Sequence, residues 1–249
     1  MDGTALAYDD SGEGTPVVFL HGITMDRASW APVVERLSDE LRCVNVDLPG
    51  HGGSPRTGAY DVFSQADVVA RFIGELGLDR PFVVGHSYGA FIATLVGVSS
   101  PVRGIVNVDQ ELDTAAFAAR MAPLEPRLRG DDFDAAFHEF VATLRPDLVP
   151  DEHRAAVVMR PDPEVVLSVW GTVFDTPAAD LVGMVEPVLS AYPAPYLAVY
   201  GAPVSVGERR LLGLFPQVEV EEWDGLGHFV HLADPDRTAD RIRRFTATH

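Results

Sequence analysis

The residues of this chain with most chemistry in them are a serine, a histidine and a few carboxylates. Ser87 lies in Gly85-His86-Ser87-Tyr88-Gly89, after the apolar run Phe82-Val83-Val84 and before Ala90-Phe91-Ile92-Ala93-Thr94-Leu95. A strand, a sharp turn and a helix in that order lift a serine hydroxyl above the end of a sheet. Side chains two places either side of the serine would collide in such a turn, and glycine at both positions removes the collision. The serine also falls at the start of the helix, where partial positive charge favours a developing oxyanion. The five-residue pattern alone also fits a glycine-rich loop with a solvated serine. The flanking strand and helix are what favour a nucleophile.

A serine hydroxyl attacks carbonyls poorly until an imidazole takes its proton. His228 stands in Gly225-Leu226-Gly227-His228-Phe229, where flanking glycines let a loop carry the ring over the sheet edge. The plainer alternative is a loop histidine satisfied by backbone groups. His231 follows three residues later and is expected to pack beneath the loop. That pair has metal-like spacing, but the sequence suggests no third ligand nearby, so no metal is expected.

Composition narrows the chemistry further. The net charge of −18 repels phosphate backbones and anionic membrane surfaces, so nucleic acid and membrane are not expected partners. All 19 basic residues are arginine. Without lysine there is no Schiff base, no lysine-anchored pyridoxal phosphate, no Ser-Lys dyad and no P-loop lysine. The single cysteine, Cys43, sits in Cys43-Val44-Asn45-Val46 and reads as a core thiol. No apolar run reaches the length of a membrane span, and Met1-Asp2-Gly3-Thr4 opens without a signal-type segment, so a cytoplasmic location is expected.

These residues need a scaffold, and the apolar runs supply one. Strands are expected near Val17 to Leu20, Cys43 to Asp47, Phe82 to Gly85, Gly104 to Asp109, Tyr196 to Tyr200 and Val218 to Trp223, with a short opening strand over Thr4 to Tyr8. Amphipathic stretches such as Gln65 to Leu76 and Tyr88 to Val98 lie between them. The alternation argues for an α/β fold with a doubly wound, mostly parallel sheet. It breaks between Glu111 and about Tyr192, where successive helical patterns follow one another. Asp131-Asp132 can cap a helix whose Phe133, Phe137, Phe140, Val141 and Leu144 share a face. Asp162-Pro163 and Thr176-Pro177 read as starts with proline at the first helical position. The expected organisation is a core over 1–110 and 193–249, with a helical cap inserted over 111–192.

In that order and combination, the motifs resemble the α/β-hydrolase fold family over nearly the whole chain. Phe19-Leu20-His21-Gly22 is similar to its oxyanion loop. Asp47-Leu48-Pro49-Gly50-His51-Gly52-Gly53-Ser54 is similar to its loop after the next strand, and Gly225 to Phe229 followed by Asp234-Pro235 to its histidine segment. The resemblance implies Ser87 as nucleophile and His228 as base. It implies an oxyanion hole from two backbone N–H groups, Tyr88 after the nucleophile and Ile23 after His21-Gly22. His21 and His86 are then bracing residues.

The third member departs from the commonest family pattern. The acid usually follows the strand of Tyr196 to Tyr200, where Gly201-Ala202-Pro203-Val204 offers Val204, which cannot orient an imidazole. Downstream, Glu208 is the first carboxylate, at an expected helix start that favours a negative charge anyway. Asp109, ending the strand after the nucleophile, is the stronger candidate, because some family members take the acid from there. Adjacent strands lie ~4.8 Å apart, so a carboxylate ending one strand can serve a histidine its neighbour could also reach. Asp109 as a mere cap of the first cap helix, and Glu111 as the acid, stay open at this point.

The expectation is a cofactor-free serine hydrolase that cleaves a small, largely apolar ester or lactone through an acyl-enzyme. Serine in place of aspartate argues against the dehalogenase and epoxide-hydrolase branches. Phe133, Phe137, Met159, Trp170 and Phe174 suggest an apolar pocket, although each also suits the packing within a cap. A C–C hydrolase, a cofactor-free lyase or perhydrolase, and a binding protein that has lost turnover remain as alternatives, the last supported by Val204. A small molecule is the expected partner, bound by a monomer or a homodimer.

Overall fold

A computed structural model describes residues 5–157 and 159–249. Seven strands, β1 (Tyr8–Ser11), β2 (Thr15–Leu20), β3 (Leu41–Val46), β4 (Phe82–His86), β5 (Gly104–Val108), β6 (Tyr196–Tyr200) and β7 (Val218–Glu222), form one sheet in the order β1-β3-β2-β4-β5-β6-β7. Only β1 runs antiparallel, pairing Tyr8 with Val46 and Ser11 with Cys43. From β2 the chain moves outward to β3, then crosses back to β4 on the other side. The point where strand order reverses is where open α/β sheets place ligands.

The inner strands are parallel because each is apolar on both faces and each is followed by a crossover helix. Val18, Leu20, Val83, Ile105, Tyr196 and Ala198 pack on one face; Val17, Phe19, Val84, Val106, Leu197 and Val199 pack on the other. In the core, α2 (Val62–Glu75) and α3 (Tyr88–Ser99) cover the first of these faces and α1 (Ala31–Leu37) the second. Among the described residues, five α-helices then fall between β5 and β6: α4 (Thr114–Met121), α5 (Glu125–Leu128), α6 (Phe133–Thr143), α7 (Pro163–Asp175) and α8 (Ala178–Ala191). They form the inserted helical cap. The core resumes with α9 (Val206–Leu212), α10 (Val230–Ala233) and α11 (Pro235–Thr248). Cys43 is fully buried in β3, among apolar neighbours.

Three expectations about element ends are corrected. The opening strand covers Tyr8–Ser11 instead of Thr4 to Tyr8, and Thr4 itself lies outside the described residues. This edge strand carries Asp9 and Asp10 and is mostly exposed, so its sequence lacks the apolar signal of the others. Its partner is held partly by Arg42, which pairs with Asp10 across the two strands. In the cap, Asp162 caps α7 as expected, accepting from the N–H groups of Glu164 and Val165. Pro177, however, stands before α8 in an extended conformation, and Ala178 is the first helical residue. Asp132 precedes α6 without a capping bond, because its carboxylate pairs with Arg127 at 2.7 Å.

Candidate active site

Ser87 occupies the bend between β4 and α3 with φ 50° and ψ −128°, a backbone conformation that L side chains rarely adopt. Its N–H donates to the Val108 carbonyl at 2.9 Å, and its carbonyl accepts from Ala90 N at 2.7 Å. The two glycines of the motif are needed for space. A β-carbon on Gly85 would fall within 3.0 Å of the Ala90 backbone, and one on Gly89 within 3.0 Å of the Leu20 and His21 carbonyls. The helix therefore packs directly on the ends of β4 and β2, and Ser87 rides on top.

His228 sits in the loop after β7. Its Nδ1 is 2.7 Å from Asp109 Oδ2, and both side chains are 16% exposed. Asp109 directly follows β5 with φ 57°. Its second oxygen, Oδ1, accepts from Gly201 N at 2.6 Å, so the carboxylate is fixed at both ends. With Nδ1–H donating to the carboxylate, Nε2 keeps its lone pair for a proton. The ring's loop is stitched down by backbone as well. His228 N donates to Leu144 O at the end of α6, and Gly227 N donates to Gly201 O. The His228 carbonyl accepts from His86 Nε2 at 3.0 Å. Among the described residues the Ser87 hydroxyl makes no hydrogen bond. It and His228 line one cavity, and free-state bonds of this kind often close only around substrate.

Gly22, Ile23 and Tyr88 line the same cavity beside Ser87. Neither Ile23 N nor Tyr88 N, the first N–H of α3, donates to another of the described residues. Two free backbone donors, one of them the first N–H of α3, suit a developing negative charge. Below them His21 is fully buried and donates from Nδ1 to Gly22 O, while its Nε2 accepts from Leu48 N at 3.0 Å. Burial holds its pKa down at about 3, so it braces the turn as a neutral ring. His86 is buried and likewise held well below the usual imidazole range. His231 lies in the core between Trp30 and His86, with ring centroids 4.4 and 4.3 Å away.

The other candidate acids point elsewhere. Val204 is half-buried beside the apolar core. Glu111 pairs with Arg120 at 2.7 Å. Glu208 is buried, with its carboxylate turned to Leu112 N, Asp113 N and the Tyr200 hydroxyl. Asp109 does not cap the first cap helix, a role taken by Asp113. Only Asp109 among these carboxylates meets His228.

The cavity is about 140 Å³ and mostly apolar. An apolar protein cavity of about 150 Å³ holds a benzene molecule, so a group of that size fits here. Of the cap residues singled out in sequence, Phe137, Met159 and Trp170 reach the cavity. Phe133 stacks behind Phe137, and Phe174 packs edge-on against Trp170. Sequence reasoning missed Phe63 and Phe91 on the core side and the α8 stripe of Met184, Val185 and Val188. The i, i+1, i+4 spacing of that stripe was the available signal.

With this geometry in view, the chain belongs to the α/β hydrolase family, whose model matches residues 17–241. It is 29% identical to the pimeloyl-[acyl-carrier protein] methyl ester esterase of Yersinia pseudotuberculosis serotype IB, over 96% of each chain. A shorter match, 38% identical over 41% of this chain, is to the dihydrolipoyllysine-residue acetyltransferase component of the acetoin cleaving system of Cupriavidus necator. That match spans only 28% of the transferase's length. Among solved structures, Est816, an N-acyl homoserine lactone degrading enzyme, superposes with a TM-score of 0.76 at 24% identity, over 98% of each chain. At that identity the likeness speaks for the fold.

Proposed function

We propose that this protein is a serine hydrolase of small, largely apolar carboxylic esters or lactones, acting through an acyl-enzyme on Ser87. One observation carries the reading: Asp109 holds His228 Nδ1 at 2.7 Å, in the tautomer that leaves Nε2 basic, on the wall of the cavity that Ser87 also lines. Ser87 Oγ attacks the carbonyl carbon while His228 Nε2 takes its proton. The oxyanion is met by the N–H groups of Ile23 and Tyr88, at the positive end of α3. Collapse of the tetrahedral adduct breaks the C–O bond, and the imidazolium gives its proton to the leaving alcohol. A water then loses a proton to the same nitrogen, attacks the acyl carbon, and releases the carboxylic acid and free Ser87.

The mostly apolar walls support a largely hydrocarbon group on the substrate. The esterase relative supports ester chemistry, and a lactone is a cyclic ester open to the same attack. Residues 111–192 act in this reading as the cap that shapes substrate choice. The test is a serine-directed fluorophosphonate followed by a panel of aryl esters, lactones and β-diketones. The wild-type protein should take one label at Ser87 and turn over esters or lactones, and Ser87→Ala should do neither. Absence of label on the folded wild-type protein would refute the proposal, and turnover confined to β-diketones would move it to C–C hydrolysis.

A further inference from the structure

Asp109 is a strained residue on a short loop, and the proposed reaction needs its carboxylate held still. A non-glycine residue in the left-handed region costs roughly 1 kcal/mol, somewhat less for aspartate, so an unsupported loop would relax. Support comes from side chains that touch neither Ser87 nor His228 in a hydrogen bond. Asn107, fully buried at the end of β5, clamps the next turn from both sides. Its Nδ2 donates to Gln110 O at 2.9 Å, and its Oδ1 accepts from Gln110 N at 2.9 Å. Two residues on, Glu208 takes hold of the loop from α9. Its Oε2 accepts from Leu112 N at 2.8 Å and Asp113 N at 2.9 Å, and its Oε1 accepts from the Tyr200 hydroxyl at 2.5 Å.

That second clamp is an unusual investment. Glu208 is 2% exposed and has no arginine partner among the described residues. Burying a carboxylate costs several kcal/mol unless its lone pairs are filled. Here three donors fill them, and two are backbone groups of the one loop that carries Asp109. Ser205 sets the first turn of α9 by accepting from Glu208 N.

We propose that Glu208 and Asn107 are positioning residues for Asp109: from two sides they lock residues 109–113 into the one conformation that sets the Asp109 carboxylate on His228. The inference rests on the reading of Ser87, His228 and Asp109 as the reacting unit. A side chain that acts this way affects the rate of the chemical step and not substrate binding. Its effect also disappears once the carboxylate it positions is gone, whereas a residue that merely stabilises the fold costs the same in any background.

The experiment is a mutant cycle on the full chain, read by kcat and KM on an aryl ester and by the rate of fluorophosphonate labelling. Glu208→Leu should lower kcat and the labelling rate about 10²-fold, the scale of a misplacement near 1 Å, with KM within about threefold. Glu208→Gln should recover most of that loss. The amide oxygen can accept from Leu112 N and Asp113 N while its NH₂ donates to Tyr200 Oη, whose proton turns to Gln110 O, 3.3 Å away. In an Asp109→Asn background Glu208→Leu should cost less than about twofold more. If Glu208→Leu does not fold, Tyr200→Phe replaces it in the cycle, with an expected loss of about tenfold. Equal losses in both backgrounds, a raised KM with kcat unchanged, or no loss at all in an active, labelled protein would overturn this inference alone. A folded wild-type protein that takes no label at Ser87 would overturn the reading of the site and this inference with it.

Discussion

Exchanging Asp109 for asparagine changes one oxygen for an NH₂ group, and the surroundings dictate which one. Oδ1 accepts from Gly201 N at 2.6 Å, so an amide there must keep its oxygen toward Gly201, since two N–H donors cannot face each other. The NH₂ then occupies the place of Oδ2, 2.7 Å from His228 Nδ1. A donor at that position requires the lone pair on Nδ1, which puts the ring proton on Nε2. The nitrogen that should receive the Ser87 proton already carries one. The same exchange in a serine protease triad costs about 10⁴ in kcat, or about 5.5 kcal/mol of transition-state stabilisation, and a loss of 10³ to 10⁴ is expected here. Asp109→Ala imposes no tautomer and should lose no more than Asp109→Asn, although it removes more atoms. Single-turnover and steady-state rates on an activated aryl ester would measure both, with thermal melts to show that each variant is folded. An Asp109→Asn enzyme within tenfold of wild type would refute the reasoning and leave His228 without this acid.

Three further outcomes concern stability. His21 and His231 are fully buried, and burial lowers their pKa values from 6.5 to about 3. Between those values the unfolded chain binds protons that the folded chain refuses, so stability is present above pH 6.5 and is lost as pH falls. From pH 7 to pH 5 each ring should cost about 2 kcal/mol, visible as a lower urea midpoint at pH 5, and His231→Phe should remove about 2 kcal/mol of the drop. Equal midpoints at the two pH values would count against neutral buried rings. Gly89→Ala should destabilise by about 3 kcal/mol, because its methyl would strike the Leu20 and His21 carbonyls at the end of β2. Gly74→Ala in α2, where nothing lies within 4 Å of the new carbon, should instead stabilise by about 0.5–1 kcal/mol in the same melt.

What could be read in the sequence follows a physical division. The parallel strands were legible because residues such as Val17, Val18, Phe19 and Leu20 must be apolar on both faces at once. Ser87 and its bend were legible because steric crowding leaves only glycine at positions 85 and 89. The edge strand β1 was not, since its pairing uses backbone groups and its side chains are exposed. Nor was the α8 part of the cavity wall, because an apolar stripe on a cap helix looks the same whether it faces another helix or a substrate. The work of Glu208 was hidden for a different reason. Its carboxylate bonds to backbone N–H groups 95 and 96 residues away, and a backbone donor carries no side-chain signature.

In the proposed reading, the loops after β5 and β6 exchange duties relative to the commoner family arrangement. There the β6 loop carries the acid; here it holds Val204 at that place and contributes donors instead. Gly201 N holds Asp109 Oδ1, the Tyr200 hydroxyl holds Glu208, and the Gly201 carbonyl receives Gly227 N from the histidine loop. A β-carbon on Gly201 would overlap the Gly227 carbonyl, so the two loops touch through backbone alone. Moving the carboxylate by one strand is tolerable because the acceptor and the donors move together. The β5 loop gains the negative charge, and the β6 loop supplies the N–H that fixes its orientation. A carboxylate at position 109 without these partners would be a half-buried charge on a strained turn, free to swing off the imidazole.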